Sequence, residues 1–127
     1  MIYELIKGNG KVKEYDDNDN LMFEGEYSNG KRNGKVKEYD DNGILRFEGE
    51  YLNGEKNGKA KEYDYNGKLI FEGEYLKDKR YGNGKEYSFG KLMFEGEYLN
   101  GEKWNGIQFL YTKNVKYTNN FINGKKI

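Results

Sequence analysis

The pentapeptide FEGEY at residues 47–51 decides the fold of this chain, because it recurs at a nearly fixed interval. Further copies begin at Phe23, Phe71 and Phe94, so the intervals are 24, 24 and 23 residues. A second word, GKVKEY or GKAKEY, repeats at the same interval from Gly10, Gly34 and Gly58. Fixed periods of roughly 20 to 50 residues are typical of solenoids, propellers and stacked arrays. The sequence therefore predicts a repeat array.

The repeat extends over essentially the whole chain, so we treat residues 1–127 as one domain. At the start, Tyr3 stands where Tyr27 stands in the next unit. Near the end, Tyr117 takes the position of Phe71, and Phe121 takes that of Tyr75. We divide the domain into a half unit at residues 3–9, four units of about 24 residues and a degenerate C-terminal unit; the five later units begin at Gly10, Gly34, Gly58, Gly82 and Gly106.

The pattern of each unit predicts two β-strands that form a hairpin. The dipeptide Asn42-Gly43 is a strong hairpin signal, and it separates GKVKEYD from ILRFEGEYL. In the second segment Arg46, Glu48 and Glu50 alternate with apolar residues and glycine, as in a sheet with one buried and one wet face. We therefore predict an all-β fold, an elongated single-layer antiparallel β-meander built of consecutive hairpins, with about ten strands.

The register of these hairpins depends on the loop. A two-residue loop at Asn42-Gly43 places Lys37 opposite Glu48, and it places Tyr39 on the charged face. Cross-strand pairs of opposite charge contribute roughly 0.2–1 kcal/mol each, so the charges would form a solvated ladder. A three-residue loop or a β-bulge would move the first strand's side chains to the other face. The sequence leaves both alternatives open.

The glycine of FEGEY favours a packing role. Gly49 lies between Phe47 and Tyr51 on the predicted apolar face, and a strand glycine often marks the close approach of another group. We expect a neighbouring aromatic ring to lie across its backbone.

Composition excludes several function classes. The chain has 22 acidic and 22 basic residues and no net charge, which argues against binding to nucleic acid. It has neither histidine nor cysteine, which removes most nucleophile–base pairs and most transition-metal sites. The N-terminus lacks the basic start and apolar run of a signal peptide. We expect a cytoplasmic protein that is not an enzyme and has no cofactor, no catalytic residue and no metal site.

Two motifs imitate ligand sites. Residues 25–31 resemble G-x-x-x-x-G-K, but Arg32 stands where a P-loop has Ser or Thr, and no helix is predicted to follow. Residues 16–20 resemble the start of a calcium loop, but Tyr27 stands where the loop needs a glutamate. We interpret both as strand and turn segments.

The pattern resembles the MORN-repeat family, whose units run aromatic-x-Gly-x-aromatic, a glycine-containing turn, then Gly-x-Gly. Residues 47–51, followed by Asn53-Gly54 and Gly58, match this order. Val36 and Ala60 replace the last glycine, which makes the chain more similar to the variant repeats common in bacterial proteins. The resemblance implies a twisted single-layer sheet with a groove. It also implies a scaffold or protein-binding role, with phospholipid contact proposed for some members and toxin binding by an antitoxin described for a relative of the variant type.

We predict a non-enzymatic protein-interaction or scaffold module whose partner groove is formed by the aromatic residues of the four FEGEY words: Phe23, Tyr27, Phe47, Tyr51, Phe71, Tyr75, Phe94 and Tyr98. One alternative is a peripheral phospholipid-binding module that uses the basic turn residues Lys31, Arg32, Lys79 and Arg80. Another is an antitoxin-like partner of a toxin, and an inert structural repeat is a third.

The two ends differ from the middle. Apolar and aromatic residues enter the last unit, at Trp104, Ile107, Phe109, Leu110 and Val115. Terminal repeats are usually atypical, so these residues indicate either a cap or a self-association patch. At the other end, Tyr3, Leu5 and Ile6 are predicted to lie on an exposed edge strand that a second copy could pair with.

Overall fold

The computed structural model describes residues 2–3, 8–113 and 116–127, with side chains from Gly8 onward. It is one twelve-stranded sheet in which the strand order follows the chain and all neighbours are antiparallel. The strands are β1 (Ile2–Tyr3), β2 (Gly10–Tyr15), β3 (Leu21–Ser28), β4 (Lys31–Tyr39), β5 (Leu45–Leu52), β6 (Glu55–Tyr63), β7 (Leu69–Leu76), β8 (Lys79–Ser88), β9 (Lys91–Leu99), β10 (Glu102–Tyr111), β11 (Lys116–Ile122) and β12 (Lys125–Lys126).

This architecture confirms the predicted all-β single-layer meander. The number of strands is twelve and not about ten, because two short strands of two residues each, β1 and β12, lie at the ends of the sheet. In the part of the chain that the structure describes, no helix has the length and apolar character needed to cross a membrane. Tyr3 pairs through its backbone with Val12, whereas Leu5, Ile6 and Val115 lie outside the described residues.

The hairpin of β4 and β5 has the residue pairs of a two-residue loop, although its loop is longer. Lys37 lies opposite Glu48, as a two-residue loop requires. The loop itself has three residues, 41–43, and is closed by a hydrogen bond of 2.9 Å from Asp40 N to Ile44 O. Arg46 is then left over as a bulge between the last two ladder pairs. The loop extension and the bulge cancel, so the structure combines the two alternatives: it has the longer loop and a bulge, and it keeps the residue pairs of the two-residue loop.

Two-residue loops occur at the opposite ends of the strands. Asn53 and Gly54 both have positive φ, 50° and 86°, which is the geometry of a type I′ turn. The backbone N–H of Gly54 donates to Arg32 O at 2.8 Å, and that of Asn53 donates to Oδ1 of Asn33 at 3.1 Å. Each such turn is therefore tied to the unit before it, which stacks the units in a fixed order.

The core lies on one face of the sheet, which we call the ring face. Its phenylalanines are 0–4% exposed, and the small residues Val36 and Ala60 are buried beside them. A Cβ at Gly73 would lie 2.7 Å from Phe71 Cζ and 2.8 Å from Gly84 Cα. The glycine thus makes room for the ring two residues earlier on its own strand and for the neighbouring backbone, which supports its packing role.

Candidate binding surface

The ring face is covered by its own cations. The guanidinium carbon of Arg32 lies 3.9 Å from the ring centroid of Phe23, and that of Arg80 lies 4.0 Å from that of Phe71. Lys56 Nζ takes the equivalent position above Phe47, at 4.2 Å. Cations over aromatic faces at these distances are attracted by the ring quadrupole. They also separate the phenylalanine rings from water.

Tyrosine hydroxyls close the ring face further. Tyr27 donates to Glu14 and Tyr51 to Glu38, each at 2.5 Å from hydroxyl to carboxylate oxygen. Burial, together with the hydrogen bond to the glutamate, raises the pKa of the Tyr51 phenol. The same bond is repeated in the later units, where Tyr75 donates to Glu62 and Tyr98 donates to Glu86.

The predicted groove of eight rings is therefore filled by the chain's own side chains. All four phenylalanines, together with Tyr51 and Tyr98, are at most 8% exposed, and Tyr27 and Tyr75 are half-buried. Their rings contact one another edge to face, for example Phe47 with Tyr75 at 6.0 Å between centroids. The rings form the core of the sheet, because glutamate, arginine and lysine from the same face cover them.

The four residues of the phospholipid alternative do not form one patch. Arg32 pairs with Glu14 at 2.9 Å, and Arg80 pairs with Glu62 at 3.1 Å, so both guanidinium groups are engaged on the ring face. Lys31 and Lys79 are exposed, and each directly precedes one of these arginines in its strand. Because successive strand residues point to opposite faces, the lysines are directed away from the arginines.

The opposite side of the sheet, the groove face, carries an open groove of about 1230 Å³. Its walls combine lysines from β2, β4, β6 and β8 with glutamates from β3, β5, β7 and β9, and no aromatic residue is among them. Along the groove the two charges alternate from strand to strand, for example Lys37, Glu48, Lys61 and Glu72. Beneath them lies the backbone of a row of small residues, which we call the small-residue row: Val12, Gly25, Val36, Gly49, Ala60, Gly73, Gly84 and Gly96.

Opposite charges on the groove face stand in register without forming ion pairs. Within residues 8–113 and 116–127, every N–O ion pair shorter than 4.0 Å involves an arginine or Lys103. Three of the groove glutamates, Glu24, Glu48 and Glu72, instead accept hydrogen bonds from tyrosines. Glu24 accepts its bond from Tyr39 at 2.7 Å. Burial and this hydrogen bond raise the pKa of Tyr39 to about 12. The groove lysines therefore keep their ammonium groups available to a ligand.

The C-terminal end of the groove face becomes apolar. Ile107 is 43% exposed and lies opposite Glu95, in the row that carries lysine and glutamate in the earlier units. Phe109 follows on the same face, with Lys116 Nζ 4.5 Å from its ring centroid. Trp104 and Leu110 are half-buried. Cap and contact patch remain alternatives for this end.

The sequence contained a sign of which face is closed. A register that pairs Lys37 with Glu48 also pairs Glu38 with Phe47, which indicates charged residues over the rings. We interpreted the Lys and Glu alternation only as a solvated ladder. Nothing in one strand shows that the ladder lies in a groove, since concavity arises from the path of the whole sheet.

An open array of stacked hairpins, with one face filled and the other grooved, defines a repeat-based binding module. The family model described as MORN repeat variant matches residues 9–29, 32–53 and 56–77. The chain belongs to this MORN repeat variant family, which confirms the resemblance drawn from the FEGEY units. A search of curated proteins gave no match.

Proposed function

We propose that this protein is a non-enzymatic protein-interaction module that binds its partner in the groove of the groove face. The observation that carries the proposal is the set of groove lysines whose ammonium groups lie opposite glutamates and yet form no ion pair within 4.0 Å among the described residues. A binding surface needs groups that are held in place by the fold and are still free to contact a ligand. The ring face offers few such groups, since its charges are paired across the rings.

A protein partner fits the groove better than a lipid surface does. Adsorption to an anionic membrane requires a region of one sign, because each lysine or arginine near the surface adds to the attraction. Here Lys61 has a glutamate opposite it on both neighbouring strands, Glu48 and Glu72. Lys37 and Lys85 are flanked by glutamates in the same way. A groove with alternating charges attracts a uniformly charged membrane surface only weakly. It favours a protein partner whose own charges are arranged in a pattern.

Charge reversal in the groove tests this proposal. We would compare Lys37→Glu, Lys61→Glu and Lys85→Glu, combined in one variant, with a matched control that carries Lys31→Glu, Lys79→Glu and Lys125→Glu. Both variants change the net charge equally, and only the first alters the groove. Partners captured from the source cell and quantified by mass spectrometry should be lost with the groove variant and retained with the control.

A photo-crosslinking residue in place of Lys61 should label the same partner, and one in place of the exposed Glu102, outside the groove, should not. Retention of all partners by the folded groove variant would contradict the proposal. Binding of phosphatidylserine vesicles that is lost only with the Lys31, Lys79 and Lys125 variant would favour the lipid alternative instead.

A further inference from the structure

One row of groove lysines recurs once per unit, at Lys13, Lys37, Lys61 and Lys85. The four residues lie on alternate strands, β2, β4, β6 and β8. Neighbouring strands are about 4.7–4.9 Å apart, so successive lysines of this row stand about 9.4–9.8 Å apart along the groove. The row is therefore a line of positive charges with a single period.

The lysines of this row are more accessible than the glutamates between them. Lys37 and Lys61 are exposed, whereas Glu48 and Glu72 are half-buried. The two glutamates also accept hydrogen bonds from Tyr63 at 2.6 Å and Tyr87 at 2.9 Å. The neighbouring row of the groove exposes Glu26, Glu50 and Glu74. Along the lysine row, however, a ligand meets the ammonium groups first, and among residues 8–113 and 116–127 none of these groups has a carboxylate within 4.0 Å. The chemistry of the row thus favours an acidic ligand over a basic one.

The period of the row selects the conformation of that ligand. A polyproline II helix repeats every three residues at about 3.1 Å per residue, so its same-side groups stand about 9.3 Å apart. Same-side groups stand about 6.6–6.8 Å apart in a β-strand, and about 10.5 Å apart at the seven-residue repeat of an α-helix. Of these three periods, that of the polyproline II helix is nearest to the backbone spacing of the lysines.

We infer that the partner segment is acidic, adopts the polyproline II conformation and carries Asp or Glu at every third residue. This inference rests on the proposed function. Such a segment is stiff before it binds, which lowers the entropy cost of association.

Synthetic peptides test the inference directly. The probe is a fluorescent peptide of about six Glu-Pro-Pro triplets, long enough to reach all four lysines. One control has the same composition with its glutamates clustered at one end, and a second has Lys-Pro-Pro triplets. By fluorescence anisotropy with the unmodified protein at low salt, the periodic acidic peptide should bind at least about tenfold more tightly than either control.

The groove variant with Lys37, Lys61 and Lys85 changed to glutamate should lose this binding, and the Lys31, Lys79 and Lys125 variant should keep it. Circular dichroism checks that both are folded. Equal binding of the periodic and clustered peptides, or tighter binding of the basic one, overturns the inference. If the groove variant loses its cellular partners while the periodic peptide shows no preference, the proposed function stands and the ligand assignment falls. The peptide series on the unmodified protein decides the inference even if a variant fails to fold.

Discussion

The hydroxyl of Tyr51 donates a 2.5 Å hydrogen bond to Oε1 of Glu38, which lies on the neighbouring strand. Glu38 also lies 3.6 Å from the guanidinium group of Arg32, so its carboxylate joins a tyrosine and an arginine of adjacent units. Because Tyr51 is only 8% exposed, water cannot readily replace this bond. Tyr51, Glu38 and Arg32 all lie in the hairpin of β4 and β5, so this contact fixes the side chains of one hairpin over its rings.

Replacing Tyr51 with phenylalanine should destabilise the protein. The substitution keeps the ring and removes only the hydroxyl, so the free energy of unfolding should fall by about 1–3 kcal/mol, the usual effect of deleting a hydrogen bond to a charged group. Urea denaturation measures the change. The control is Tyr65→Phe, where the ring is 73% exposed. Equal effects of the two substitutions would contradict a structural role for the Tyr51 hydroxyl.

Alkaline pH should destabilise the array through its groove-face tyrosines. Burial and hydrogen bonds to glutamate raise the pKa of Tyr39 and Tyr63 to about 12, above the ordinary value of 10.0. The unfolded chain therefore loses its phenolic protons first. The stability that these tyrosines contribute is fully present below pH 10.0 and is lost as the pH rises towards about 12.

Urea midpoints across this range, together with an ultraviolet titration of tyrosinate, measure the alkaline effect. A variant with Tyr39→Phe and Tyr63→Phe should show a weaker decline. If the two phenols titrate at the ordinary tyrosine value in the folded protein, the prediction fails.

The row of small residues should show coupling between neighbours. A Cβ at Gly49 would lie 2.8 Å from the Cβ of Ala60 and 3.0 Å from Phe47 Cζ. Gly49→Ala should therefore cost about 1–3 kcal/mol through overpacking. Combining it with Ala60→Gly should recover part of that loss, because one of three close contacts disappears while those with Phe47 Cζ and Lys59 O, at 3.0 Å each, stay. A double-mutant cycle by urea denaturation gives the coupling energy. Strict additivity would show that the two positions do not interact.

Lys56→Arg should stabilise the protein. Arg32 and Arg80 each lie within 4.0 Å of two glutamates while covering a phenylalanine, and Lys56 occupies the equivalent place above Phe47. The guanidinium fork can bond both neighbouring carboxylates at once, so we expect a gain of about 0.5–1 kcal/mol. Thermal denaturation measures the gain, with the exposed Lys31→Arg as control. A comparable gain at Lys31 would show that the effect is unrelated to the ring face.

Phe89→Asn should also stabilise the protein. Phe89 has φ 51° in the turn between β8 and β9, and its side chain is 92% exposed. A bulky residue is disfavoured in this left-handed conformation, whereas asparagine tolerates it and occupies the similar turn position at Asn53 with φ 50°. We expect a gain of about 0.5–1 kcal/mol in a thermal or urea transition. A loss of stability would show that the exposed ring contributes to folding.

The local pattern in the sequence predicted the strands and their pairing well. Alternation around Phe47, repeated at 24 residues, specifies strands with one apolar face. Asparagine–glycine turns specify reversals, so consecutive strands must become antiparallel neighbours. The family followed from the same residues. These properties depend on residues within one unit, and four similar units give the same answer.

The turn at Asp40 is one residue longer than the Asn42-Gly43 dipeptide indicates. Asn42-Gly43 suggested a two-residue loop, yet Oδ1 of Asp40 accepts hydrogen bonds from the backbone N–H groups of Asn42 at 2.9 Å and Ile44 at 3.0 Å and holds a longer turn. The bulge at Arg46 then restores the register. The Nε of Arg46 donates to Tyr63 O at 2.7 Å, in the next unit, so this choice is stabilised by a residue 17 positions away.

By itself, therefore, the sequence determined the period, the strands, the antiparallel order and the small-residue row that includes Gly49. These follow from side-chain alternation and turn chemistry, which act over a few residues. Only the tertiary structure decided that the rings of the FEGEY units are covered and that the opposite face is open. The cover comes from residues such as Arg32, which bonds Glu14 in the preceding strand pair and stacks on Phe23. The groove comes from the shape of eight consecutive strands, a property that no single unit possesses.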